Sequence, residues 1–94
     1  MTINPVMPVL PSISRSLRLP ITDVTGLFST NEVVDENTPA GAFAEAVARR
    51  FELPSDTPFA LRDSRGRWLE ADQPLKGQVQ DAEALTLTPK THLG

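Results

Sequence analysis

Gln80-Asp81-Ala82-Glu83-Ala84-Leu85-Thr86-Leu87-Thr88-Pro89 is the segment on which the fold turns. Leu85 and Leu87 alternate with Thr86 and Thr88, the period-two pattern of a strand that buries one face. The polar run ahead of them, Gln80 to Ala82, makes a turn. Pro89 has no N–H for a ladder and is expected to stop the strand. Six residues, Pro89 to Gly94, then run past the last expected pairing position.

Working back from that strand, Val79 is a short apolar element, preceded by a compact connection from Asp72 to Gly77 that holds Leu75. Pro58 introduces a strand, Phe59-Ala60-Leu61, with Phe59 and Leu61 on one face. Asp63 to Gly66 turns the chain, and Arg67-Trp68-Leu69 returns. Earlier still lies the clearest helix start: Thr38 is expected as N-cap and Pro39 as the first helical residue. Phe43, Val47 and Phe51 recur every four residues, with Ala40 and Ala44 on the same face. Glu45 and Arg49 form a favourably oriented i,i+4 pair. Leu53-Pro54 closes a helix of about fourteen residues, because the residue before a proline leaves the α region.

The first regular elements form a hairpin. Leu17, Leu19 and Ile21 alternate with Arg18, Pro20 and Thr22; Asp23 to Gly26 supplies the turn; a second strand runs around Phe28 to Asp35 with Val33 and Val34 at its centre. Residues Met1 to Ser14 differ from everything after them. They carry Pro5, Pro8 and Pro11 at a spacing of three, apolar residues between them, and no charged side chain before Arg15. That spacing fits polyproline II and forbids a helix interior. Two readings follow: a disordered tail, as unanchored termini commonly are, or an extended arm that packs on its own domain or on a neighbouring subunit through Val6, Met7, Val9, Leu10 and Ile13. Docking on another copy would give a homo-oligomer.

The 94 residues suit one domain, and a chain of this size buries only about 60% of its unfolded surface. No stretch approaches the roughly eighteen apolar residues of a membrane span, and no basic region precedes an unbroken apolar run as in a secretory signal. Zero cysteines exclude disulfides, thiolate metal sites and a cysteine nucleophile. One histidine, His92, removes most metal and Ser-His-Asp constellations as well. A net charge of −3 argues against a general nucleic-acid binder. The expectation is a small cytoplasmic protein that acts by binding or by being attached, not an enzyme.

Strand, strand, helix, strand, short strand, loop, strand is the element order of the β-grasp, an α+β fold with one helix packed across a mixed four- to five-stranded sheet. From Leu69 onward the apolar positions Leu69, Leu75, Val79, Leu85 and Leu87 resemble those of ubiquitin, with one residue fewer between Leu75 and Val79. Counted on from Leu87 without a gap, Gly94 falls on ubiquitin's terminal glycine. The resemblance covers residues 16 to 94, and divides the chain into an arm (1–14), a ubiquitin-like domain (15–88) and a tail (89–94). Three departures stand out. The chain ends Leu93-Gly94 where such modifiers usually end Gly-Gly, and the turn from Arg62 to Arg67 is longer. Ala60 and Thr88 replace two members of ubiquitin's exposed isoleucine-centred patch, so readers of that patch should not recognise this chain. The sequence also resembles bacterial ubiquitin-like proteins: modifiers encoded beside E1-like, E2-like and JAB-type protease genes, and the YukD/EsaB group of type VII secretion.

That resemblance implies a bacterial modifier whose chemistry belongs to the Gly94 carboxylate. An E1-like enzyme adenylates it, the acyl group passes to a cysteine of an E1- or E2-like enzyme, and a target protein receives it. No cofactor is implied. The chain need supply only a reaching arm that ends without a Cβ, and six residues at about 3.3 Å each reach roughly 20 Å. His92 and Leu93 lie in that arm, Leu93 adding bulk that a partner enzyme would have to seat. Trp68, Ala60 and Thr88 are the partner-binding candidates, Lys76 is the better acceptor lysine for self-conjugation, and antiviral defence is one role the resemblance implies. The alternative is a non-covalent ubiquitin-like module of a secretion or multi-subunit assembly.

Overall fold

The structure is a computed structural model, and it describes residues 15–90. The oligomerisation residues Val6, Met7, Val9, Leu10 and Ile13, and the conjugation residues His92, Leu93 and Gly94, lie outside the described residues.

Five elements follow in order: β1 (Ser16–Asp23), β2 (Ser29–Asp35), α1 (Ala40–Arg50), β3 (Phe59–Arg62) and β4 (Leu85–Pro89). The sheet order is β2-β1-β4-β3. β1 and β2 form an antiparallel hairpin, β4 joins β1 in parallel with Ile21 opposite Leu85, and β3 pairs antiparallel with β4. The helix lies across one face of this mixed sheet. Leu17, Leu19 and Ile21 from β1, Leu61 from β3, and Leu85 and Leu87 from β4 meet Phe43, Ala44 and Val47 of the helix, as their alternation requires. Leu69, Leu75 and Val79 close the core from the long 63–84 connection.

The hairpin closes through Asp23. Its carboxylate accepts hydrogen bonds from the Thr25 hydroxyl at 2.7 Å and the Phe28 N–H at 3.0 Å, while Gly26 takes the positive φ of 78° that the turn needs. Burial pushes the Asp23 carboxyl upward, but these bonds and the backbone N–H groups of Thr25 and Gly26 outweigh it and hold it below the ordinary carboxylate value.

The helix begins and ends differently from the sequence expectation. Pro39, not Thr38, is the N-cap, no side chain caps the end, and α1 spans 11 residues. The reason lies in the connection after β3: Ala40 N–H donates to the Gln73 carbonyl and Gly41 N–H to the Ala71 carbonyl. Backbone acceptors thus satisfy the donors that a Thr38 cap would have served. Gly41 permits this approach, since a Cβ there would sit 3.0 Å from the Ala71 Cβ and 3.1 Å from its carbonyl oxygen. At the other end Leu53 N–H reaches the Ala48 carbonyl and Glu52 N–H the Arg49 carbonyl, a Schellman closure with Glu52 at φ 60° where glycine is usual. Arg50 pairs with Glu32 through two bonds of 2.9 and 3.1 Å, tying the helix end to β2.

Two expected strands shrink to single bridges. Arg67-Trp68-Leu69 returns only as an Arg62–Trp68 bridge, and Val79 only as a bridge to Lys76. Pro89 is the last residue of β4 rather than its stop: it stands opposite Phe59, past the point where β1 stops pairing with β4 at Leu87. A proline is tolerated at such a terminal position, where one flank of the strand is open.

Candidate partner face and tail exit

The sheet has two faces, and alternation assigns every side chain to one of them. The face away from the helix presents Arg18, Pro20 and Thr22 from β1, Asn31 and Val33 from β2, Ala60 and Arg62 from β3, and Thr86 and Thr88 from β4. Register brings two of the expected partner residues together: Ala60 stands directly opposite Thr88. Arg62 stands opposite Thr86, and Thr86 has Thr22 on its other side. Trp68, the third expected residue, reaches this face through its bridge to Arg62, whose guanidinium carbon lies 4.2 Å from the indole ring centre.

Asp63 builds that pair. Its Oδ1 accepts the N–H groups of Arg65 and Arg67, both at 2.9 Å, and its Oδ2 accepts from Arg67 Nε at 3.2 Å. The Arg67 N–H foremost, with burial opposing and the Arg65 N–H and Arg67 charge assisting, holds the Asp63 carboxyl below its ordinary value. Glu83 braces the same turn from the far side, accepting the Ser64 N–H at 3.0 Å and the Ser64 hydroxyl at 2.7 Å. With the turn clamped, Trp68 is held across from Arg62. Of the three arginines in this hairpin, Arg67 is therefore engaged with Asp63 and Arg62 with Trp68.

Two polar atoms on this face are buried without a partner among the described residues, Arg62 Nε and Thr88 Oγ1. Buried donors and hydroxyls ordinarily find partners, so these two atoms are exceptions to the rule on this face. A shallow depression joins them, lined in part by Val24, Arg62, Thr86 and Thr88. Sequence reasoning missed Val24, because it reads as part of a turn; its signal was an apolar residue in a hairpin tip that also holds Leu27 and Phe28. The Val24 N–H donates to the Leu87 carbonyl at 3.1 Å, which fixes the tip beside β4.

The tail leaves from this same end. Lys90 N–H bonds the Pro58 carbonyl at 2.9 Å, so the chain stays attached one residue beyond β4. Lys76 is exposed on the 63–84 connection, its N–H bonded to the Glu36 carbonyl, and is not part of the open face. Among the described residues no group of three or more His, Cys, Asp or Glu side chains is placed to hold a metal ion. No helix there is long and apolar enough to cross a membrane.

Comparison with solved structures agrees on the architecture. The ubiquitin of Caldiarchaeum subterraneum matches with a TM-score of 0.69 and 26% identity, over 85% of this chain and 100% of that one. This chain is a ubiquitin-like β-grasp protein. The C-terminal ubiquitin-like domain of mouse tubulin-specific chaperone e matches at TM-score 0.63 and 19% identity, covering 84% of this chain and 91% of that one. A molecular mimic of SUMO that promotes DNA repair matches at TM-score 0.69 and 8% identity, over 81% and 94% of the two chains. At such identities these last two speak to fold alone. No protein-family model matches the ubiquitin-like chain, and no curated protein matches it.

Proposed function

We propose that this ubiquitin-like protein is a modifier, activated at the Gly94 carboxylate by an E1-like enzyme and transferred to target proteins. It supplies no catalytic group of its own. The adenylating and thiol-bearing partners are E1- and E2-like enzymes, with a JAB-type protease to process or reverse the linkage. A bacterial conjugation pathway, with antiviral defence as its role, is the setting its sequence resemblance suggests.

The observation that carries this reading is the placement of the tail exit. Ala60 and Thr88 form one cross-strand pair, Phe59 and Pro89 the next, and Lys90 is bonded to Pro58 immediately beyond. An enzyme seated on the open face would therefore receive the residues after Lys90 from the edge of its own footprint. Proximity of this kind replaces a bimolecular encounter with a positioned one. The test is adduct formation in the organism that encodes the chain. Intact chain should give ATP-dependent covalent adducts on denaturing gels, and both Gly94 deletion and one added C-terminal residue should abolish them. Adducts that survive both changes would overturn the reading.

A second reading, a non-covalent module, is favoured by one feature: the Arg62–Trp68 pair with its unpartnered Arg62 Nε forms a recognition spot that needs no tail. Such a module would keep its partner when Gly94 is removed.

A further inference from the structure

One basic side chain in this protein is placed unlike the rest. The chain has nine lysines and arginines, and all of them but Arg62 are exposed. Arg50 and Arg67 form ion pairs, with Glu32 and Asp63, from exposed positions. Arg62 is half-buried, with its Nε shut away from solvent, and it pairs with no carboxylate among the described residues. A guanidinium partly withdrawn from water gives up hydration, and a fixed anion beside it is the usual compensation. The Trp68 ring supplies part of that compensation from one side of the guanidinium plane. The fork of terminal N–H groups still donates to nothing among the described residues.

The surroundings leave room for an anion. The neighbouring carboxylates are engaged: Asp63 accepts from Arg65 and Arg67, and Glu83 from Ser64 and Gln80. Asp35 is the carboxylate that shares the open-face register of the strands, and it stands opposite Ser16 in β2, at the other edge of the sheet. On a chain whose net charge is −3, this corner of the sheet therefore presents an uncompensated cation. The depression that Arg62 borders encloses about 510 Å³, enough for a side chain to enter. Thr86, directly opposite Arg62, offers a hydroxyl there, and Val24 and Ala84 offer apolar wall.

We propose that this depression is a carboxylate subsite within the partner face. An acidic side chain of a partner protein accepts hydrogen bonds from the Arg62 fork and the Thr86 hydroxyl, and rests its methylenes on Val24 and Ala84. Trp68 is the positioning residue: it holds the guanidinium flat, so the fork is aimed before the partner arrives. The inference rests on the open face being the partner face, and is independent of conjugation at Gly94.

The test titrates the full, isotopically enriched chain with the blocked peptide acetyl-Leu-Glu-Leu-amide and with its Leu-Gln-Leu counterpart. The glutamate peptide should shift the backbone amides of Val24, Arg62 and Thr86 and change the emission of Trp68, the only tryptophan. The glutamine peptide should bind about fivefold more weakly, and added salt should narrow that gap. Arg62→Gln should abolish the preference for glutamate. Arg65→Gln, which removes an equal but exposed charge from the same turn, should keep it. Deleting Gly94 should change neither result, so a failure of conjugation and a failure of this subsite read separately. No binding of the glutamate peptide, equal binding of the two peptides, or shifts centred away from Arg62 would overturn the proposal. So would an equal loss of preference in Arg62→Gln and Arg65→Gln, since general charge attraction would then suffice.

Discussion

The two faces of one sheet are built on opposite rules. Toward the helix, Leu19, Ile21, Leu61, Leu85 and Leu87 are almost wholly buried and make no demand beyond shape. Away from it, the same strands present threonines, an alanine, a proline and arginines, and leave Arg62 Nε and Thr88 Oγ1 buried without partners among the described residues. The first face stores the stability of the fold. The second contributes less to it, and substitutions on the two should separate accordingly.

The largest effect belongs to the helix face. Leu87→Ala, at the centre of the core, should cost about 2–5 kcal/mol, read as a shifted denaturant midpoint with an unchanged slope. A cost under about 1 kcal/mol would mean this face is looser than its packing indicates. Next comes the strained helix end. Glu52→Gly relieves a left-handed conformation in a non-glycine residue and should stabilise by about 1 kcal/mol in the same assay. On the open face, Thr88→Val removes a buried unpartnered hydroxyl and should be neutral or gain up to about 1 kcal/mol. The same change should weaken partner binding. Loss of stability there would show that Thr88 has a structural role like that of its neighbours on the other face.

Acid should act through the turns that hold the two faces in register. Asp23 and Asp63 have native pKa values lowered below those of the unfolded chain, so their stabilisation is complete above the ordinary carboxylate value and is lost as pH falls through the native one. Thermal midpoints measured downward from about pH 5 should fall, and Asp23→Asn should flatten the profile. A midpoint independent of pH in that window would remove the two carboxylates from the account.

The helix face was largely legible in the sequence, because period two and period four mark a buried side in any strand or helix. Leu17, Leu19 and Ile21, the Phe43–Val47 stripe, and Leu85 and Leu87 all take their expected places. The open face was legible only in part. Ala60 and Thr88 could be placed from alignment with ubiquitin's core spacing, but their direct pairing depends on β3–β4 register, which no local pattern encodes. Val24 and the Arg62–Trp68 stack were hidden for the same reason: each requires a turn to bring residues across the sheet. The helix cap was misplaced because its acceptors, Ala71 and Gln73, come from a connection thirty residues downstream.

The most direct test joins the open face to the tail. Ala60→Arg places a bulky charge beside Thr88 and the tail exit while leaving the core side untouched. If the β4–β3 half of this face presents the tail to an activating enzyme, the variant should keep the dispersed spectrum of the folded protein yet form as few ATP-dependent adducts as the Gly94 deletion. A folded Ala60→Arg chain that conjugates as fully as the native one would contradict the account.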